Sequence, residues 1–325
     1  MSFAADHLIL NIILFLIGLA FLVKGSDFFV EAASQIARSY KIPEIIIGLT
    51  LVSIGTSLPE FATDIYASIE GESGIVVGDL VGSNITNISL VLGVAVVMLG
   101  VMPSPKEVVK RDALFMLGTF FVFAGICFMG NGNLGRAGGF VMLILMMGYL
   151  FYLFKNRDSL ASLEEGEEHE KAIYSSMSKA WIFLFLGVTM IFLGAKAMVD
   201  NVIVVAERFN MSQGLIAATI VAFGTSVPEL AVTVTSIRKG KKGIALGNII
   251  GSCIFNILLI MGLCAIINPL EIEFNLLYVI IPTMLFCGVM LLIFMRSGWR
   301  LARAEGIAFL LVYIGYLIYN AIKLA

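Results

Sequence analysis

The chain has 325 residues, of which 59% are hydrophobic and 14% charged, with a formal net charge of −2 and a mean hydropathy of +1.00. Soluble domains carry about 25% charged residues, so a water-soluble globular enzyme and a disordered chain are both excluded. The charge balance also leaves no basic footprint for nucleic acid, and the class that fits is an all-α, polytopic membrane protein.

A bilayer-spanning helix needs about 20 mostly apolar residues. Ten such intervals follow in chain order, at 8–30, 44–69, 74–100, 112–130, 138–155, 180–201, 212–237, 243–267, 275–295 and 304–323. The first has no secretory cleavage signature before residue 30 and reads as a retained helix. Pro103, Pro105, the acidic stretch Glu164 to Glu170, Asn268-Pro269 and the segment Arg296 to Arg303 punctuate the rest. The acidic stretch lacks the spaced ligands of a Ca²⁺-binding loop and reads as a solvated linker.

Numbering the loops alternately places 16 of the 21 Lys and Arg residues on one side, three on the other, and Lys24 and Lys196 within spans. That asymmetry predicts both termini outside and the linker 157–179 cytoplasmic. Cys127, Cys253, Cys264 and Cys287 lie in apolar runs and read as packing residues. His7 and His169 form no zinc motif, and no nucleophile–base set is present, so the chain is not read as an enzyme.

Residues 45–93 align without gaps to 214–262 at an offset of 169, with 20 of 49 positions identical. The densest blocks are Gly55-Thr56-Ser57-Leu58-Pro59-Glu60 against Gly224-Thr225-Ser226-Val227-Pro228-Glu229, and Gly82-Ser83-Asn84-Ile85-Thr86-Asn87 against Gly251-Ser252-Cys253-Ile254-Phe255-Asn256. The match extends outward through Gly18 with Gly187 and Gly25 with Gly194. Five spans separate corresponding elements, an odd number, so the second copy is expected to cross the membrane in the opposite direction. The expected organisation is two inverted five-helix repeats, 1–156 and 180–325, an arrangement many secondary transporters use.

Glu60 and Glu229 are carboxylates deep in apolar spans, where an uncompensated charge costs several kcal/mol. A bound cation would compensate; a protonated, hydrogen-bonded Glu is the alternative. Pro59 and Pro228 remove a backbone donor and free the carbonyls of Gly55 and Gly224, with Ser53, Thr56, Ala222 and Thr225 nearby. Such a break at membrane depth is tolerated where it lines a cavity. Those carbonyls and the hydroxyls of Thr56, Ser57, Thr225 and Ser226 are hard oxygens of the kind Ca²⁺ gathers; a simple kink is the alternative. Ser83 with Asn87, and Ser252 with Asn256, place oxygens at i and i+4 on one helix face, for ligation or for interhelical hydrogen bonds. Asp64, one turn beyond Glu60 and matched by Thr233, is a further cation or proton group or a hydrogen-bonding residue near the helix end. Asp79 and Asn248 read as helix caps. Lys24 with Asp27, and Lys196 with Asp200, read as pairs along single helices.

On these paired motifs the sequence resembles the Ca²⁺/cation antiporter superfamily, and most closely its prokaryotic sodium/calcium exchangers. The resemblance covers essentially the whole chain. It implies a central metal site with Glu60 and Glu229, the hydroxyls of Thr56, Ser57, Thr225, Ser226, Ser83 and Ser252, the carbonyls of Ser53 and Ala222, and lining from Asn87 and Asn256. It also implies that the first and sixth spans form the moving gate. Some members carry Asp where this chain has Asn256, a lost charge that Asp64 could replace. The implied activity is Na⁺-driven Ca²⁺ export across the cell membrane, with H⁺ coupling or K⁺ co-transport as alternatives. Ions and membrane lipid are the partners implied, and no cofactor.

Overall fold

The computed structural model describes residues 8–40, 42–156, 173–208, 222–272 and 276–324. The helices are α1 (Leu8–Ser39), α2 (Glu44–Thr56), α3 (Leu58–Glu70), α4 (Ser73–Leu99), α5 (Lys106–Met129), α6 (Arg136–Lys155), α7 (Met177–Arg208), α8 (Ala222–Thr225), α9 (Val227–Arg238), α10 (Lys242–Ile267), α11 (276–296) and α12 (Arg303–Leu324). They occupy every predicted interval within the described residues. The interval 212–237 is described only from 222, and most of the predicted linker lies outside the described residues. Among the described residues, seven helices are long and apolar enough to cross a membrane, or eight with α2 and α3 taken as one bent span. Neither α12 nor the α8–α9 pair is among them.

The main boundary corrections are extensions. α1 continues nine residues past the predicted end at 30, α5 starts at Lys106 rather than 112, and α7 runs to Arg208 rather than 201. Charged residues at helix ends lie outside an apolar window yet still belong to the helix, because backbone hydrogen bonding does not stop at the membrane surface.

Burial separates two kinds of helix. α4 and α10 are 83% buried over their apolar windows, whereas α1, α6 and α7 are 28% buried. The exposed sides of the peripheral helices carry Leu16, Ile17, Ile144, Phe151, Ile182 and Phe185. Apolar surface of that extent suits lipid rather than water. Two separate apolar clusters result. The larger surrounds α4 and α10; the smaller joins α1 to α7 through Leu22, Phe29, Ala33, Ala180, Leu184 and Ile191.

α1 and α7 pack along one another. Their closest approach is at glycine: a Cβ on Gly25 would lie 2.9 Å from the Gly187 carbonyl oxygen, and one on Gly194 would lie 2.6 Å from that of Gly18. Numbers rise along one helix as they fall along the other, so the two are antiparallel. Small residues are what allow membrane helices to approach this closely.

Local geometry repeats at the sequence offset. The turns after α3 and α9 both use a left-handed glycine, Gly71 at φ +84° and Gly240 at φ +75°. In each the next amide reaches five residues back at 2.8 Å, Glu72 to the Ala67 carbonyl and Lys241 to that of Ser236. A Cβ on Gly71 would lie 3.5 Å from Asn268 Nδ2, just beyond the C-terminal end of α10, whereas Lys241 precedes its first turn. The 26 residues of α10 span about 39 Å at 1.5 Å per residue, so the two turns stand at opposite ends of the molecule. Two short antiparallel clasps, β1 (Val101–Pro103) with β4 (Arg300–Ala302) and β2 (Asn133–Leu134) with β3 (Leu270–Glu271), tie loops from the two halves together.

Candidate functional site: two broken helices around a buried carboxylate pair

α2 and α3 meet at Ser57 with a bend of 52°. Ser57 leaves helical geometry at φ −87°, ψ 12°, and Ser226, between α8 and α9, does the same at φ −87°, ψ 1°. Pro59 and Pro228 sit in the first turn of the helices that resume. Proline is tolerated there because that amide has no intrahelical acceptor. The Gly55 and Gly224 carbonyls then lack the donor that residues 59 and 228 would have supplied. The sequence placed this break correctly, and each break aims the following glutamate into the interior.

Glu60 and Glu229 are both fully buried. Ser57 Oγ donates to Glu229 Oε1 at 2.9 Å and lies 3.2 Å from Ser252 Oγ, so the first break touches α9 and α10 directly. Glu60 is in electrostatic reach of Glu229, Asp79 and Asp64. Buried oxygens without a hydrogen-bond partner gather in this region: both of Glu60, Glu229 Oε2, Ser83 Oγ, Ser226 Oγ, and Asn256 Oδ1. Both amide atoms of Asn87 are in the same condition. Buried polar groups are ordinarily satisfied, so so many orphaned oxygens next to two carboxylates are chemically suited to a hard cation. Among the described residues no three His, Cys, Asp or Glu side chains form a metal cluster. The unpartnered oxygens here come from carboxylates and from neutral hydroxyl and amide groups together.

Asn87 and Asn256 each open a π-helical turn, Asn87–Val91 and Asn256–Ile260. Such single turns widen a helix locally and are common at functional sites. Asn84 Oδ1 accepts from Asn256 Nδ2 at 3.2 Å, which orients the amide and leaves Asn256 Oδ1 unpaired. Asn84 was not singled out from sequence, although its counterpart at the repeat offset, Cys253, is a polar-for-apolar mismatch that marks it.

Three expectations are corrected. Asp79 and Asn248 are not helix caps: both lie two turns inside their helices, which begin at Ser73 and Lys242. Asp79 Oδ1 accepts from Thr225 Oγ1 at 3.0 Å, and Asn248 Oδ1 accepts from Thr56 Oγ1 at 3.0 Å. Asn248 also donates to Thr233 Oγ1 at 3.1 Å and to the Glu229 carbonyl at 3.4 Å. Each copy thus holds the other copy's threonine, and the acceptors are 146 and 192 residues away in sequence, beyond the reach of a local cap reading. Lastly, Asp27 does not pair with Lys24. It meets Lys239 at 3.3 Å, while Lys24 lies over the Phe28 ring at 4.9 Å. The Lys196–Asp200 pair forms as expected, at 3.0 Å.

The remaining predicted residues fall as follows. The Ser53 carbonyl accepts from the Ser57 amide at 3.0 Å and Thr56 Oγ1 at 3.2 Å, which leaves it turned into the break. Ala222 begins α8, at the matching position of the second copy. Asp64 is fully buried with both oxygens unpartnered, and its carbonyl accepts from Cys264 Sγ at 3.4 Å on α10. All four cysteines are buried and free.

The family model described as "Sodium/calcium exchanger protein" matches residues 10–155 and 179–322. Sodium/calcium exchanger MaX1 of Methanosarcina acetivorans is 37% identical, covering 95% of this chain and 97% of its own length. Inner membrane protein YrbG of Escherichia coli is also 37% identical, over 80% of this chain and 81% of its own. Among solved structures, the sodium-calcium exchanger NCX_Mj soaked with Na⁺ and Sr²⁺ superposes with a TM-score of 0.80 at 33% identity, covering 95% of this chain and 98% of that one. This multi-pass membrane protein, a transporter rather than an enzyme, belongs to the sodium/calcium exchanger family.

Proposed function

We infer that the chain exchanges Na⁺ for Ca²⁺ across a membrane, and that the ions bind between the two broken helices. The observation that carries the site is the set of buried, unpartnered oxygens on Glu60, Glu229, Ser83, Ser226 and Asn256. An acidic side chain at the centre of a membrane helix costs about 3 kcal/mol, and cations at those oxygens offset that cost. Glu60 and Glu229 supply the formal charge for one Ca²⁺ or two Na⁺. Thr56, Ser57, Thr225, Ser226, Ser83 and Ser252, the carbonyls of Ser53 and Ala222, and Asn87 and Asn256 supply neutral oxygens. Asp79 and Asp64 bring two further carboxylates beside Glu60, enough to balance a third and fourth monovalent cation.

Alternating access through two inverted five-helix halves, 1–156 and 180–325 joined by 157–179, is the mechanism this arrangement supports. It is supported by the repeated breaks, the repeated left-handed turns at opposite ends, and the antiparallel α1–α7 crossing. α1 and α7 pack most extensively on each other and meet the rest through Ile47, Val52, Val227, Val232 and Ile244 in the smaller apolar cluster, so they are the pair best placed to move together against the rest. Ca²⁺ and Na⁺ compete for overlapping oxygens, and the inward Na⁺ gradient exports Ca²⁺ across the cell membrane, with both termini outside and the linker cytoplasmic. The test is ⁴⁵Ca²⁺ uptake into proteoliposomes under separately imposed Na⁺, K⁺ and pH gradients. Uptake that requires an outward Na⁺ gradient supports the assignment; equal uptake under a pH gradient without Na⁺ makes H⁺ the coupling ion instead.

A further inference from the structure

The end of the molecule that carries the α9–α10 turn is closed by a polar network unrelated to the ion site. Lys239 Nζ lies 2.6 Å from Glu31 Oε1 and 3.3 Å from Asp27 Oδ1, both on α1. Lys241 Nζ lies 3.4 Å from Glu44 Oε1 at the start of α2. Glu44 also accepts from Ser34 of α1, and Arg38 Nη1 donates to Ser34 Oγ at 3.4 Å. Tyr174, in the segment before α7, completes the tie: Gln35 exchanges two hydrogen bonds with its backbone, at 2.9 and 2.8 Å, and its hydroxyl lies 3.4 Å from Glu31 Oε2. Burial pulls the Lys239 ammonium down, but its hydrogen bonds to Glu31 and Asp27 outweigh that and hold it above the ordinary lysine value. One turn of the larger bundle is thereby fastened to the α1–α7 pair.

The repeat offset gives four of the five latch residues a charged counterpart; Glu44 corresponds to the neutral Gln213. Asp27 corresponds to Lys196, Glu31 to Asp200, Lys239 to Glu70 and Lys241 to Glu72. The charges are exchanged at three of these four positions: on one end α1 is acidic and the turn basic, while on the other α7 offers Lys196 and the turn is acidic, with Asp200 keeping the sign of Glu31. The counterparts are not joined across helices here. Lys196 pairs with Asp200 on its own helix with both side chains more than half exposed, and the Glu70 and Glu72 side chains are exposed with no ion pair among the described residues.

We propose that Lys239 and Lys241, gripping Asp27, Glu31 and Glu44, latch one end of the transporter shut, and that Lys196 with Glu70 and Glu72 is its charge-reversed counterpart, which shuts the opposite end in the alternate state. This rests on the alternating-access reading above. Asp200 has a double use in that scheme. It holds Lys196 while the second latch is open, and it releases Lys196 when α7 shifts toward the α3–α4 turn. The Lys239 pairs are partly exposed, whereas the Lys241–Glu44 pair is largely shielded; partly exposed pairs contribute little each, so the Lys239 pairs bias the balance of two states without locking either.

The test uses the full chain in proteoliposomes, with Ala37→Cys on α1 as a reporter for a membrane-impermeant maleimide. Labelling is measured against the chain without the reporter, whose native thiols are all buried. The double variant Lys239→Ala/Lys241→Ala is expected to raise reporter labelling about fivefold, the factor that roughly 1 kcal/mol gives. Lys239→Arg/Lys241→Arg is expected to leave it at the parent level, and Glu31→Lys combined with Lys239→Glu to return it most of the way. In the latch-free variant, oxidative cross-linking of Lys196→Cys with Glu70→Cys is expected to accelerate by a similar factor. Unchanged labelling and cross-linking after loss of both lysines would overturn the latch, as would an increase in the arginine variant equal to that in the alanine variant. ⁴⁵Ca²⁺ binding by the same variants is expected at the parent level; its absence from the parent chain itself would instead count against the ion site.

Discussion

The two broken helices share their motif, their proline and their backbone geometry, yet they differ in charge and in hydrogen bonding. Around α3 and α4 the first copy places Glu60, Asp64 and Asp79; at the matching positions the second has Glu229, Thr233 and Asn248. Glu229 receives the Ser57 hydroxyl at 2.9 Å, but among the described residues no hydroxyl reaches Glu60, and the hydroxyl of Ser226, the counterpart of Ser57, has no partner. The copies therefore agree in shape and divide the chemistry unequally. The first copy carries three carboxylates, with Glu60 and Asp64 unpartnered, and the second carries one, with Glu229 Oε1 hydrogen-bonded and its Oε2 unpartnered. On the proposed mechanism, the repeated frame would let the site face either side in turn, and the unequal charge would let a divalent and several monovalent ions use different subsets of the same oxygens.

The largest test of this comparison removes each glutamate's charge. Glu60→Gln and Glu229→Gln are each expected to slow Na⁺-driven Ca²⁺ exchange by about a hundredfold, which roughly 3 kcal/mol gives. If one of the two retained near-parent flux, the charge would reside in the other copy alone. Next comes Asp79→Asn, which makes the first copy match Asn248. It is expected to weaken apparent Na⁺ affinity about tenfold and flatten the Na⁺ dependence, with a smaller effect on Ca²⁺. A steeper Na⁺ dependence would place Asp79 outside the ion site.

Hydrogen bonding is tested by a matched pair. Ser57→Ala removes a bond to a charged group, about 1.5–3 kcal/mol, and is expected to raise the apparent Ca²⁺ Km about tenfold; Ser226→Ala, which breaks no bond, about threefold. Equal effects would show that the hydrogen-bond asymmetry has no functional weight. Smallest is Asp64→Thr, which copies Thr233. It is expected to change the Ca²⁺ Km by about threefold or less and to alter Na⁺ activation more, measured in the same flux assay.

Much of this architecture was legible because membrane sequence is constrained at each level. Apolar length located the helices, and the 169-residue offset paired the breaks, the turns and the glycine crossing. Pro59 and Pro228 marked the breaks because no other residue lacks the amide donor. What could not be read was long-range pairing. Asp79 looked like a cap because it stands early in an apolar run, but Gly71 and Glu72 start α4 sooner and carry Asp79 into the interior, where Thr225 meets it. Asp27 looked paired with Lys24 three residues away, yet Lys239 at 3.3 Å arrives from another helix. Local spacing describes what one helix offers. Only packing decides which helix accepts it.

The central claim is that Ca²⁺ and Na⁺ compete for one site held jointly by Glu60 and Glu229. Calorimetric titration of the purified chain with Ca²⁺ at stepped Na⁺ concentrations tests it most directly. The account predicts one saturable Ca²⁺ site per chain whose apparent affinity falls as Na⁺ rises, and which disappears in both Glu60→Gln and Glu229→Gln. Ca²⁺ binding that is indifferent to Na⁺, or that survives in both variants, would contradict it.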